Sequence, residues 1–167
     1  KVGTTSEALI SIGVVEQDIK WDTTKINDTL KKHPDIDIRM LKSIPNLIEN
    51  PVLIMEERNK KASKDHGNNR IFMLGELYNE NGLPIIAFLE LETQNRDGIY
   101  LNEIKIVSTH SRVDETAPES FDNTKNFVKN SHLLYLDPNK NRTNSWLARN
   151  RLQLPFLPTT YGPINKI

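Results

Sequence analysis

The fold of this chain is decided by residues 71–92, which read IFMLGELYNENGLPIIAFLELE. Two apolar runs, Ile71 to Tyr78 and Pro84 to Glu92, flank the polar residues Asn79-Glu80-Asn81-Gly82. Asn-Gly between two such runs is a strong signal for a β-hairpin, because both residue types tolerate the backbone of a tight turn. A second turn at Asn95-Arg96-Asp97-Gly98 leads into Ile99 to Thr109, so the sequence predicts an antiparallel meander.

Helical signals come before the meander. Asp22-Thr23-Thr24 are good capping residues, and His33-Pro34 ends the helix that follows them, because the residue before a proline avoids the α region. A second helix is expected from Asp35 to Ile48, where Pro45 should kink or restart it. The apolar run Pro51 to Met55 is too short for a helix and is interpreted as a strand.

The segments after the meander alternate between helix and strand. Pro118 to Ser131 is expected to form an inserted helix, and Leu133 to Leu136 a short strand. Thr143 or Asn144 is expected to cap a short helix that carries Trp146. N-terminal helices followed by a small antiparallel sheet with an inserted helix predict the α+β class.

The length of 167 residues suits one domain. Residues 1–20 show no clear period, and we interpret them as an N-terminal arm or the tail of a linker. Residues 21–167 are then a single α+β domain. Because the sequence starts at Lys1, it is expected to be a fragment of a larger protein. No apolar run approaches the about 18 residues that a membrane span needs.

Composition excludes several classes of site. Lys plus Arg and Asp plus Glu are 22 each, so a strongly basic nucleic-acid coat is excluded, although a local basic patch is not. The absence of cysteine excludes disulfides, thiolate zinc sites and a thiol nucleophile. No histidine pair has metal-ligand spacing, and there is no Walker loop or dinucleotide fingerprint. We therefore expect no metal and no cofactor.

The neutral total charge hides a segregation along the chain. Between Leu74 and Ile104, six acidic residues stand against one basic residue, whereas between Lys125 and Arg151 six basic residues stand against one acidic residue. A basic C-terminal third, to which Arg149 belongs, would suit a phosphate-rich ligand. The alternative is an ordinary solvated surface, and charge alone favours that alternative.

The densest set of reactive side chains lies in residues 102–112. Strand alternation places His110 and Arg112 on one face, and Lys105 with Thr109 on the other. In the first site, His110 serves as acid or base while Arg112 binds a phosphate. In the second, Lys105 belongs to a polar cluster on the open face of the sheet. A β-bulge would merge the two sites, and a purely structural histidine is the alternative to both.

The stretch 139–146, which reads NKNRTNSW, is the second candidate. Lys140 and Arg142 supply two cations and Ser145 a hydroxyl, just ahead of the predicted short helix, whose free backbone N–H groups suit an anion. The alternative is a polar loop whose indole anchors the helix in the core. Tyr135 can stack on a base, or it can be a half-buried edge residue.

The order of these segments carries a family resemblance. The residues that carry it are, in chain order, His33-Pro34, Leu41, Ile44-Pro45, Asn50-Pro51-Val52, Pro84-Ile85-Ile86, Asn102-Glu103-Ile104, Ser108, Leu134-Tyr135, Ser145-Trp146-Leu147 and Leu152-Gln153-Leu154-Pro155. Over Thr24 to Pro155 the chain resembles the C-terminal domain of phage MuF-type head proteins and related polyvalent proteins and polymorphic toxins. That group is similar to the barnase, EndoU, colicin and RelE-like nucleases.

The resemblance implies a toxin-like, metal-independent endoribonuclease domain of bacterial or phage origin, secreted or delivered into the cytoplasm of a target cell. Its partners would be RNA and an acidic immunity protein. A base removes the proton of the ribose 2′-hydroxyl, which attacks the adjacent phosphate, while an acid protonates the leaving oxygen. His110 stands at the end-of-strand position where many members carry an aromatic residue, commonly tyrosine, so it departs from the family's pattern. The implied catalytic residues are His110, Lys105, Arg112 and Ser145, and the expected substrate-binding residues are Lys140, Arg142, Tyr135 and Arg149.

Two other functions stay open at the level of sequence. The first is a noncatalytic module that docks a phage or secretion protein onto its partner and binds nucleic acid or an acidic protein weakly. The second, transfer of ADP-ribose, would need an NAD-binding arrangement that the sequence does not contain.

Overall fold

The computed structural model describes residues 3–14, 16, 18–19, 23–32, 37–56, 70–80, 82–90, 104–106, 132–150 and 161–165. The predicted helix over Pro118 to Ser131 and the predicted turn at Asn95 to Gly98 lie outside these ranges, as do His110 and Arg112.

Five helices occur in the described part of the chain: α1 (Glu7–Ser11), α2 (Thr23–Lys32), α3 (Ile38–Lys42), α4 (Ile44–Glu49) and α5 (Lys140–Arg149). The prediction of α2 is confirmed. The predicted restart at Pro45 is also confirmed, because Ser43 separates α3 from α4 and the proline lies in the first turn of α4. A proline is tolerated there since its missing N–H would have no partner within the helix.

The strands form two sheets. The smaller sheet pairs β1 (Gly3–Thr4) with β2 (Asp18–Ile19). The larger sheet contains β3 (Leu53–Glu56), β4 (Arg70–Leu74), β5 (Ala87–Glu90), β6 (Ile104–Ile106), β7 (His132–Leu136) and β8 (Gly162–Pro163). Its strand order is β6-β5-β4-β3-β7-β8, and every pair is antiparallel. Strands β3 to β6 are thus a meander, and β7 returns to the free side of β3, which confirms the α+β prediction.

The predicted hairpin between β4 and β5 is present. Tyr78 and Pro84 form a bridge, and the side-chain Oδ1 of Asn79 accepts a hydrogen bond of 2.9 Å from the backbone N–H of Leu83. Gly82 has a φ of 78°, a backbone conformation that would be strained in any residue with a side chain. The same residues that predicted the hairpin, Asn79 and Gly82, therefore form its turn.

Both faces of the larger sheet are buried. One face packs against α1, α3 and α4 in a cluster that includes Ile54, Met73 and Leu89. The opposite face carries Met55, Phe72, Phe88 and Leu136, and α5 covers it with Trp146. Burial on both sides explains why the strands are continuous apolar runs instead of alternating apolar and polar residues.

The N-terminal residues contain short regular elements that pack against the larger sheet's cluster. Ser6 caps α1 by accepting a hydrogen bond from the backbone N–H of Leu9. Leu9, Ile12 and Ile19 are fully buried and belong to the same cluster as the inner faces of α3 and α4. The sequence shows no helical or strand periodicity of apolar residues here because these elements are only two to five residues long.

Candidate nucleic-acid interface

Helix α5 begins earlier than the sequence predicted. Asn139 is its N-cap, with Oδ1 accepting a hydrogen bond of 3.1 Å from the backbone N–H of Arg142. The prediction that Thr143 or Asn144 caps the helix was wrong, because the Asn139 side chain already satisfies the first turn. Ser145 consequently lies inside the helix, on its exposed side, and not in a loop ahead of it.

The inner face of α5 is fixed to the sheet by hydrogen bonds as well as by packing. Thr143 is fully buried, and its hydroxyl donates to the carbonyl of Asp137 at 2.9 Å. The indole Nε1 of Trp146 donates to the carbonyl of Gly75 at 2.7 Å. The interpretation of Trp146 as an anchor in the core is therefore confirmed.

The side chain of Arg142 donates four hydrogen bonds to described residues. Its Nε donates to Oε1 of Glu76 at 3.2 Å, and Nη1 donates to Oδ2 of Asp137 at 2.6 Å and to the carbonyl of Pro51 at 3.4 Å. Nη2 donates to the carbonyl of Asn50 at 2.7 Å. Burial alone would lower the pKa of Arg142, but the two carboxylates outweigh burial and raise that pKa. Arg142 thus joins α5 to two loops, and its charge is already compensated.

Among the described residues, the other two cations of α5 contact aromatic rings and no carboxylate. The ammonium of Lys140 lies 5.4 Å from the ring centroid of Tyr161, and the guanidinium of Arg149 lies 3.8 Å from that of Tyr78. Both cations are exposed. A ring holds a cation by its electron-rich face without neutralising its charge. Lys140 and Arg149 lie nine positions apart and therefore on opposite flanks of α5. The two pairs are together called here the cation–tyrosine surface, and each can still attract an anion.

Tyr78 also contacts the end of α5. The Asn150 side chain is fully buried, and its Nδ2 donates to the carbonyl of Trp146 at 2.8 Å and approaches the Tyr78 hydroxyl at 3.5 Å. Its Oδ1 is buried and has no hydrogen-bond partner in the part of the chain that the structure describes. Tyr78 is thus fixed from one side by Asn150 while Arg149 covers its ring.

The remaining predicted site residues are distributed over the fold. Lys105 lies in β6, in register opposite Phe88 of β5. Tyr135 is only 8% exposed, and burial, followed by the charge of Asp137, raises its pKa. That burial leaves little ring surface for a base to cover. His110 and Arg112 lie outside the described residues, so their juxtaposition with Lys105 and Ser145 stays a prediction.

A pocket of 260 Å³ adjoins Arg142. We call it the α4 pocket, and it is lined by Ser43, Asn46, Leu47, Asn50, Glu76, Leu77 and Arg142. Sequence reasoning assigned only Arg142 of this set to a site. Glu76 is the one charged residue in the apolar run Ile71 to Tyr78, but its partner in α5 is 66 positions away.

Within the described ranges, no group of three or more histidine, aspartate or glutamate residues can hold a metal ion. The helices described also include none with the length and apolar character needed to cross a membrane.

Comparison with known proteins gives a match to one domain family. The sequence model that describes the phage MuF C-terminal domain matches residues 25–143, which is more than half of the chain. The match begins within α2 and ends in the first turn of α5. No curated protein and no solved structure matches the chain.

Proposed function

Since the chain belongs to the phage MuF C-terminal domain family, we propose that it is a toxin-like endoribonuclease domain that cleaves RNA without a metal ion. The observation that carries the proposal is the cation–tyrosine surface. Lys140 and Arg149 keep their charges on the exposed side of α5 while resting on Tyr161 and Tyr78. Cations beside aromatic rings suit single-stranded RNA, whose phosphates need positive charge and whose bases stack on rings.

Cleavage proceeds by transesterification in this proposal. The ribose 2′-oxygen loses its proton, attacks the adjacent phosphorus and displaces the 5′-oxygen, which takes up a proton and leaves a 2′,3′-cyclic phosphate. His110 is the residue that exchanges these protons, because imidazole titrates near neutral pH. Lys105 and Arg112 stabilise the charge that develops on the phosphate, and the Ser145 hydroxyl donates to one of its oxygens.

Substrate binding is assigned to Lys140 and Arg149, which are exposed and have no carboxylate partner within the described residues. Arg142 has a structural role, because its hydrogen bonds to Glu76, Asp137 and two carbonyls leave little of its charge for RNA. Substitutions of Lys140 and Arg149, and not of Arg142, should therefore weaken RNA binding directly.

The partners and location follow from the same proposal. An acidic immunity protein covers the cation–tyrosine surface, since a surface that attracts phosphates also attracts carboxylates and opposite potentials accelerate association. The domain acts after secretion or delivery into the cytoplasm of a target cell, as the effector part of a larger phage or polymorphic-toxin protein.

Expression in a bacterium without the partner tests the function. The parent chain should arrest growth and fragment cellular RNA, and His110→Ala and Lys105→Ala should each relieve the arrest. Lys42→Ala, which changes an exposed lysine of α3, is the matched control and should stay toxic. If both site variants are as toxic as the parent, the assignment of the catalytic residues is wrong.

A noncatalytic docking module is the second candidate. The ion pairs of Arg142 with Glu76 and Asp137 favour it, because they remove one cation of α5 from the binding of a substrate that is to be cut. A folded domain that binds RNA with strong salt dependence, but neither cuts it nor slows growth, would establish this function instead.

A further inference from the structure

Met40 of α3 differs from the other methionines of the chain in its exposure. The chain has three methionines, and the structure describes all of them. Met55 of β3 is 1% exposed and Met73 of β4 is fully buried, whereas Met40 is partly exposed where it packs against the cluster that includes Met73. We propose that Met40 is an oxidation site of this domain, at which a hydroperoxide converts the thioether to a sulfoxide that strengthens the cap of α3.

Burial decides which methionine an oxidant can reach. Met55 and Met73 lie on two paired central strands of the larger sheet and face its opposite sides. A peroxide reaches their sulfur atoms only when the sheet opens, so their oxidation follows the small unfolded fraction of the chain. No cysteine is present to consume the oxidant first. Met40 is therefore the residue that a peroxide oxidises in the folded domain.

The sulfur of Met40 already takes part in the cap of α3. Oδ1 of Asp37 accepts a hydrogen bond of 2.9 Å from the backbone N–H of Met40, and Sδ of Met40 accepts one of 3.4 Å from the backbone N–H of Asp37. In such a reciprocal cap the third helical residue is usually glutamate or glutamine, whose side-chain oxygen is a strong acceptor. A thioether sulfur is a weak acceptor, so the N–H of Asp37 is poorly satisfied by the reduced side chain.

Oxidation gives Met40 an oxygen where glutamine has one. In both glutamine and methionine sulfoxide, the oxygen is bonded to the third side-chain atom, which is Cδ in the first and Sδ in the second. The oxidised side chain can therefore accept the N–H of Asp37 as a glutamine would. Because Met40 is partly exposed, its polar S–O group can also face water and need not enter the apolar cluster. Oxidation at this position thus improves the cap, whereas at Met55 or Met73 it would disrupt the core.

The step is a two-electron transfer of one oxygen atom. A lone pair of the Met40 sulfur attacks one oxygen of hydrogen peroxide, and the S–O bond forms as the O–O bond breaks. The departing hydroxide takes the proton of the transferred hydroxyl and becomes water. The sulfur is oxidised and the peroxide is reduced, so no further reactant is needed. A methionine sulfoxide reductase, which draws its electrons from thiols, reverses the modification.

Peptide mapping by mass spectrometry tests the site. The 167-residue chain is treated with hydrogen peroxide, and the oxygen added to each methionine is followed over time. Met40 should be oxidised at least about 10-fold faster than Met55 and Met73, and the three rates should converge in urea that unfolds the chain. Met40→Leu should take up almost no oxygen while it is folded. Oxidation of Met55 or Met73 as fast as Met40 in the folded chain would overturn the proposal.

Urea unfolding tests the effect on the cap. The chain oxidised at Met40 should unfold at a midpoint about 0.2–0.5 M higher than the reduced chain, and a methionine sulfoxide reductase should restore the original midpoint. Met40→Gln should match the oxidised chain without peroxide. Met40→Leu, the matched control, lacks an acceptor and should have the same midpoint before and after treatment. An unchanged or lower midpoint in both the oxidised chain and Met40→Gln would refute the improved cap. Neither measurement depends on whether the domain cuts RNA.

Discussion

Nη1 of Arg142 lies 2.6 Å from Oδ2 of Asp137, five positions earlier in the chain, and both side chains are largely buried. This contact separates the cations of α5 into two kinds. Arg142 stabilises the fold by joining α5 to the loops before β3 and after β4. Lys140 and Arg149 contact only tyrosine rings within the described residues and remain charged at the surface.

Arg142→Ala should lower the free energy of unfolding by about 2–3 kcal/mol, because it removes a set of charge-assisted hydrogen bonds and leaves Asp137 buried without its cation. The urea midpoint of unfolding measures this loss. Arg39→Ala is the matched control, since that side chain is 88% exposed, and its midpoint should not change. An Arg142→Ala variant of unchanged stability that has lost RNA affinity would show a direct phosphate contact instead.

The double variant Lys140→Gln with Arg149→Gln should weaken binding to single-stranded RNA. The slope of log affinity against log salt should fall by about 1.4, since each phosphate contact on a single strand contributes about 0.7. Fluorescence anisotropy at several salt concentrations measures both quantities. The single variant Lys42→Gln, on the exposed side of α3, should change neither of them. An unchanged slope in the double variant would place the RNA surface elsewhere.

Asn139→Ala should destabilise the domain by about 1 kcal/mol, because the cap of α5 loses its hydrogen bond to the backbone N–H of Arg142. Asn141→Ala changes the same residue type two positions later, on the exposed side of the helix, and should be neutral or slightly stabilising. Chemical unfolding of the two variants compares them directly. Equal stabilities would mean that α5 does not begin at Lys140.

Stability should fall as the pH rises above about 10, and Tyr135 should account for part of the fall. Its pKa is raised in the folded protein by burial and by Asp137, so the unfolded chain releases the phenol proton first. The stabilisation is therefore complete below about pH 10 and is lost toward the folded pKa. Unfolding midpoints at pH 8 and pH 10.5 should differ less in Tyr135→Phe than in the parent. An equal difference in both proteins would contradict this assignment.

Local signals predicted the parts of the fold that depend on neighbouring residues. Asn79 and Gly82 close the hairpin with the turn chemistry that identified it. The break at Pro45 likewise follows from the ring of that proline. The place of β7 beside β3 has no such signal, because it depends on pairing between distant segments such as Ile54 with Tyr135.

The contacts of the candidate site residues depend on the same kind of pairing between distant segments. Arg142 had the sign of charge expected for RNA binding, but its compensation by Glu76 joins residues 66 positions apart. Thr143 was a plausible cap by residue type, yet it lies within the helix, where its hydroxyl donates to the carbonyl of Asp137 ahead of α5, and the cap is Asn139. Residue type alone shows which side chains can bind an anion, whereas the tertiary fold decides which of them remain available.

The central claim is that this domain cuts RNA without a metal ion, and one measurement tests it most directly. The purified chain is incubated with total RNA at neutral pH in the presence of EDTA, at a protein concentration that binds the RNA. The account predicts fragments that end in 2′,3′-cyclic phosphates, produced at least about 100-fold more slowly by His110→Ala. RNA that stays intact under these conditions, while remaining bound to the protein, would contradict the claim.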